Sequence, residues 1–168
     1  MPKEDWWEKH LKKQQEEASY ALMKIKADLM ILRDKFKFKN HIIEAEYSGS
    51  GDCGDINGFS IVPRNHECNN ICKWNAHTLT EFLKEEFNYE DSVRVRRENR
   101  LNNIFENLQE NIYSILTYDW YNNEGGQGTV KLDIDNLKID IDGSYNVQHE
   151  FDCSEAGQVT SFNLNESV

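Results

Sequence analysis

The chain has 168 residues, with 19 Lys+Arg against 30 Asp+Glu for a formal charge of −11, and 38% hydrophobic residues including 8 Phe, 7 Tyr and 4 Trp. That length and composition fit one domain with a packed core and exclude wholesale disorder. The longest apolar run, Leu29 to Leu32, is far short of the ~20 residues that a bilayer-spanning helix needs, and residues 1–10 lack the basic and apolar regions of an export signal. The expectation is a cytoplasmic protein with no membrane contact, its Cys53, Cys68, Cys72 and Cys153 reduced.

Leu11, Ala18, Leu22, Ile25, Leu29, Leu32 and Phe36 recur every three, four or seven residues, which predicts one helix from about Glu4 to Lys35. Its length exceeds that of most globular helices, so it either covers the domain or pairs with a second copy through Leu22, Ile25, Leu29 and Leu32. Trp6 and Trp7 extend the same apolar surface.

The period then changes to two. His41, Ile43, Ala45 and Tyr47 alternate with Ile42, Glu44, Glu46 and Ser48, the pattern of a strand with one wetter face. It runs into Gly49-Ser-Gly-Asp-Cys-Gly-Asp55, and a short strand is expected over Gly58 to Val62. Thr78-Leu-Thr-Glu81 fits a capping box opening a short helix to about Phe87. A second long helix, capped by Asp91 or Ser92, carries Leu101, Ile104, Phe105, Leu108, Ile112, Ile115 and Leu116 at helical spacing. It is expected to end near Trp120 to Asn123, before Gly125, Gly126 and Gly128.

In the last third, Val130, Leu132 and Ile134 alternate with Lys131, Asp133 and Asp135, and Leu137, Ile139 and Ile141 with Lys138, Asp140 and Asp142. A two-residue turn at Asp135-Asn136 sets Val130 opposite Ile141, Leu132 opposite Ile139, Ile134 opposite Leu137, Lys131 opposite Asp140 and Asp133 opposite Lys138. That register pairs apolar with apolar and base with acid together. Asp142-Gly-Ser144 then suggests a turn into a third strand through Tyr145, Val147, His149 and Phe151, with a frayed end beyond Cys153. The expected architecture is α+β: a long N-terminal helix (1–37), an α+β domain (38–153) with a small mostly antiparallel sheet and two further helices, and a flexible tail (154–168).

Charge is uneven along the chain. Residues 1–40 balance at +3, whereas residues 101–168 carry twelve acids and only Lys131 and Lys138 as bases, a balance of −10. Such a region repels a phosphate backbone, which argues against direct nucleic-acid binding. Arg94, Arg96, Arg97 and Arg100 are the exception: four charges able to contact phosphate, or a solvated helix start facing the acidic remainder.

Two glycine-rich stretches, Tyr47-Ser-Gly-Ser-Gly-Asp-Cys-Gly-Asp-Ile56 and Trp120-Tyr-Asn-Asn-Glu-Gly-Gly-Gln-Gly128, stand in order before an alternating hairpin. In this the chain resembles an uncharacterised domain family of bacteria and their phages. That family is marked by a strand entering a GxGDSG-like loop and a helix ending in WxNNxGGxG. The likeness spans about Ile42 to Phe151, and Cys53 stands where the family tends to have Ser. The resemblance implies a fold and a shared site, but no activity.

The candidate binding residues are therefore Asp52, Asp55, Trp120, Asn122, Asn123 and Glu124. Glycine turns can present consecutive amides as an anion nest, and the acids and amides can instead bind a cation or a partner's backbone; the plain alternative is two tight connections. A calcium loop at Cys53-x-Asp55-x-Asn57-Gly58 fails, because Cys53 and Arg64 occupy the positions of the first and last carboxylates. His66, Cys68, Cys72 and His77 supply zinc-ligand types within twelve residues, at a spacing that matches no common finger. Cys53 is a poor nucleophile between Asp52 and Asp55, which suppress the thiolate. Asp133, Asp135, Asp140 and Asp142 read as a solvated sheet face or a metal array.

The function expected is a noncatalytic acidic module that binds another protein. In the phage setting that the resemblance implies, it is an inhibitor occupying the basic groove of a nucleic-acid-binding host protein. The alternative is a ligand- or metal-binding domain, or an enzyme, built on the two glycine-rich stretches.

Overall fold

The computed structural model describes residues 3–36, 38, 40–63, 72–73, 91–146 and 154–166. The chain is α+β, as its periodicities require. Helix α1 (Lys3–Asp34) and helix α2 (Asp91–Ile115) cover one face of a six-stranded sheet made of β1 (His41–Ser50), β2 (Cys53–Pro63), β3 (Cys72–Lys73), β4 (Gly126–Asp133), β5 (Lys138–Asn146) and β6 (Ser154–Asn163). The spatial order is β3-β2-β1-β4-β5-β6, and every neighbouring pair is antiparallel. The short helix expected over 78–87 lies outside the described residues.

The helices run antiparallel. Gln14 Nε2 near one end of α1 donates to Thr117 O just past α2, and Arg97 near the start of α2 donates to Lys35 O just past α1. At ~1.5 Å per residue α1 outruns α2, so its first turns overhang the domain and leave Trp6 and Trp7 65% and 55% exposed. Farther along, Leu22, Ile25, Leu29 and Leu32 are buried against Leu101, Phe105, Leu108, Ile112 and the inner sheet face. Those four side chains fill the chain's own core, and the length of α1 spans the domain.

Burial follows the two-residue period of the strands. Ile43, Ala45 and Tyr47 on β1, Val130 and Leu132 on β4, and Ile139 and Ile141 on β5 point inward, and Phe59 from β2 meets Phe105 edge-on with ring centres 6.0 Å apart. The β4–β5 register is the expected one, with Val130 opposite Ile141, Lys131 opposite Asp140, Leu132 opposite Ile139 and Asp133 opposite Lys138. Its turn is longer than two residues: the ladder stops at Asp133–Lys138, and Ile134 to Leu137 form the connection, with Leu137 at φ 52°. The left-handed residue is tolerated because both apolar ends of the turn, Ile134 and Leu137, are buried.

Four expectations are corrected. Helix α2 ends at Ile115 rather than near Trp120, because Gln158 on β6 caps it: its Nε2 donates to Ile115 O at 3.1 Å and its Oε1 accepts from Thr117 N at 2.9 Å. Strand β2 begins at Cys53, five residues before the expected Gly58, because a tight turn at Gly51-Asp52 returns the chain directly into pairing with β1. Asp142-Gly-Ser144 does not turn; β5 continues through it to Asn146. Its partner is residues 154–163, read as a flexible tail, which form β6 along the whole of β5. That segment has little apolar alternation, and backbone pairing at a sheet edge needs none.

Asp28 is half-buried on α1, and loss of water pushes its carboxyl up to about 6. The folded chain holds this proton more tightly than the unfolded one, so ionising Asp28 destabilises the fold as pH rises from about 4 to 6. Asp28→Asn is expected to raise stability at pH 7 by ~1 kcal/mol, after allowance for solvent screening, and to leave it unchanged below pH 4 in urea titrations. Gln158→Ala should cost ~1–2 kcal/mol and speed amide exchange at the last turn of α2.

Candidate functional site

The two glycine-rich stretches meet. Gly51 and Asp52 form the two-residue turn between β1 and β2, both left-handed at φ 57° and 66°, the geometry that suits a right-twisted hairpin. The segment before β4 makes a second turn, with Asn123 at φ 55° and Gly125 at φ 72°. Gly51 N donates to Asn123 O, Gly125 N to Asn122 O, and Asn146 N to Gly125 O, each at 2.9 Å. Gly49 pairs with Gly126 in the ladder, so both turns cap the same end of the sheet. The contact requires glycine at Gly125, where a Cβ would lie 1.7 Å from Gly49 O.

Four further glycines, Gly54, Gly128, Gly143 and Gly157, are seats for aromatic rings. A Cβ at Gly128 or Gly143 would collide with Tyr47 Oη, one at Gly157 with the Tyr118 ring, and one at Gly54 with the Trp120 indole. Tyr47 and Tyr118 share a hydroxyl hydrogen bond of 2.7 Å, and Trp120 stacks on Tyr113 at 6.0 Å and meets Tyr47 edge-on at 5.1 Å. Burial, and then the neighbouring Tyr118 hydroxyl, pushes Tyr47 well above the ordinary tyrosine range. Trp120, a binding candidate from the sequence, is 3% exposed and belongs to this cluster; Gly54 makes room for its indole beneath the surface.

The remaining candidates divide by what they hold. Asp55 accepts from the Tyr113 hydroxyl at 2.7 Å and from its own neighbour's amide, Ile56 N, at 2.8 Å, so its carboxylate fastens β2 to α2. Asn122 and Asn123 act through their carbonyls, and Glu124 O accepts from Asn146 Nδ2 at 3.1 Å. The side chains left at the tip are the exposed Asp52, Cys53, Asn123 and Glu124. An anion nest needs amides free to point at a ligand, and here the Gly51 amide is taken by Asn123 O of the opposing turn and the Gly125 amide by Asn122 O of its own turn. Residues 53–58 are strand rather than a calcium loop, and His41 stands at the far end of the β1–β2 hairpin from Cys53. Of the zinc candidates only Cys72, in β3, is among the described residues; His66, Cys68 and His77 lie outside them.

The second feature is the outer face of the sheet. Glu44, Lys131 and Asp140 lie abreast on β1, β4 and β5, as do Glu46, Thr129 and Asp142, and Asp133 lies beside Lys138. Lys131 Nζ reaches Glu44 at 3.8 Å, and Asp140 accepts from Ser161 on β6. Glu46, Asp140 and Asp142 are exposed, and Val159 beside them is 72% exposed. Five carboxylates thus share the face with two lysines. Sequence reading placed the β4 and β5 acids there, but not Glu44 and Glu46, which join them only because β1 pairs with β4.

Among the described residues no group of three or more His, Cys, Asp or Glu is placed to hold a metal ion, and no described helix is long and apolar enough to cross a membrane. Compared with family models, with curated proteins and with solved structures, the chain matches none of them.

The junction of the turns predicts opposite effects at neighbouring positions. Gly125→Ala should destabilise by ~3 kcal/mol, from the clash with Gly49 added to the left-handed backbone, whereas Asn123→Gly should stay within ~0.5 kcal/mol of the wild type in thermal melts.

Proposed function

We propose that the protein is a noncatalytic acidic module that binds a basic surface on another protein through the outer face of its sheet. One observation carries the reading: Glu44, Glu46, Asp133, Asp140 and Asp142 lie on the outer face of three adjacent strands, β1, β4 and β5, on which only Lys131 and Lys138 oppose them. In the two rows across the sheet the carboxylates lie two strands apart, about 10 Å, with Lys131 or Thr129 between them, and five acids against two lysines leave a net negative field. A partner rich in arginine and lysine relieves that repulsion and gains charge-assisted hydrogen bonds. The acidic balance of residues 101–168 extends the field beyond the face itself. The bacterial and phage setting implied by the motif resemblance sharpens the partner to a nucleic-acid-binding protein, whose phosphate groove the acidic face would occupy.

The reading of the two turns as a ligand site is weaker, since the Gly51 and Gly125 amides are already engaged by Asn123 O and Asn122 O. Their exposed acids, Asp52 and Glu124, instead extend the charged surface at one end of the sheet.

Calorimetry against a panel of basic DNA-binding domains tests the proposal. Affinity is expected to fall at least ~10-fold from low to physiological ionic strength, and Asp140→Lys with Asp142→Lys to weaken binding by at least as much, with the melting temperature held. Binding that ignores both salt and charge reversal would exclude the electrostatic interface.

A further inference from the structure

Among the described residues, cations gather at a concavity on the helical side, away from the acidic sheet face. Lys35 and Phe36, just past α1, and Val93, Arg96, Arg97 and Arg100 on α2 line an open concavity of about 480 Å³. Phe36 is its buried floor, 2% exposed, and the Arg97 and Arg100 guanidinium carbons stand 5.4 and 5.9 Å from that ring's centre. Arg97 also donates from a terminal nitrogen to Lys35 O at 3.2 Å, which holds its fork at the rim.

Three of these cations set the group apart. In a chain of charge −11, cations are expected to find carboxylates, yet among the described residues none lies within ion-pair distance of Lys35, Arg96 or Arg100. The nearest acids in sequence are Asp34, which accepts from Arg33 Nε at 2.9 Å, and Glu98, beside Arg97. Keeping three unneutralised cations around one concavity raises the free energy of the unliganded protein, and a multiply charged anion removes that repulsion. Guanidinium forks match phosphate oxygens in pairs, and the aromatic floor restrains two of the arginines before a ligand arrives.

We infer that the concavity between the end of α1 and the first turns of α2 is a binding site for a compact polyphosphate group, of the kind borne by inorganic pyrophosphate or a nucleoside diphosphate. The volume falls in the ~300–1,000 Å³ of ordinary small-molecule sites. A compact group fits better than an extended strand, because these cations surround one concavity and a longer phosphate backbone meets the carboxylates of a chain of charge −11.

Titration of the full chain with inorganic pyrophosphate, followed by backbone amide shifts and calorimetry, tests the site. Saturable binding is expected, with shifts concentrated at residues 93–100 and weakening as salt rises. Arg96→Gln, which removes no packing contact with Phe36, should weaken binding ~10-fold, and Arg96→Gln with Arg100→Gln more than that, while Lys9→Gln leaves it unchanged. The single variant guards against the double variant failing through lost packing on Phe36. No saturable binding, equal binding by Arg96→Gln, or tighter binding of a long single-stranded oligonucleotide than of pyrophosphate would overturn the inference.

Discussion

At one end of the sheet, aromatic rings occupy the volume that side chains would fill if Gly54, Gly128, Gly143 and Gly157 were any other residue. The arrangement is a steric constraint before it is an attraction. Tyr47 lies across Gly128 and Gly143, Tyr118 packs on Gly143 and Gly157, and Trp120 sits over Gly54, so one cluster ties β1, β2, β4, β5 and β6 to the segment after α2. Ring burial supplies the free energy, and the absent Cβ atoms decide where the rings can go. Once seated, they determine the path of residues 116–125, and that path brings Asn122 and Asn123 against Gly51.

The sheet has two unlike faces, and the division organises everything else. Its inner face is used up by the core beneath α1 and α2. Its outer face is left to water and collects carboxylates from strands far apart in sequence, β1 on one side and β4 with β5 on the other. Positive charge is placed elsewhere, where α1 hands over to β1 beside the start of α2. Segregation of this kind gives one small molecule two surfaces of opposite sign, each suited to a ligand that the other repels.

Some of this was legible from residue order, for definite reasons. The helical spacing of Leu22, Ile25, Leu29 and Leu32, and of Leu101 to Ile115, reports local geometry that holds in any fold. The β4–β5 register was readable because Val130, Leu132, Ile139 and Ile141 and the flanking charges Lys131, Asp133, Lys138 and Asp140 all favour one alignment, and a slip of one residue would expose the first group. The glycines were harder. Gly143 looks like a turn residue, and only the position of Tyr47 and Tyr118 explains why it lies within a strand. Trp120 looks like a recognition residue for the same reason: an aromatic among glycines reads as exposed until the ring's seat is known.

The sequence by itself determined the fold class, the two long helices, the inward residues of β1, β4 and β5, and the excess of negative charge, since each is a matter of composition or of short-range period. Tertiary structure alone decided that residues 154–163 close the sheet, that Gln158 ends α2, that Glu44 and Glu46 join the acids of β4 and β5, and that Lys35 lines one concavity with Arg96 and Arg100. These outcomes depend on contacts between segments that lie tens of residues apart. Which distant segments meet is set by the packing of the whole chain, and no local period records it.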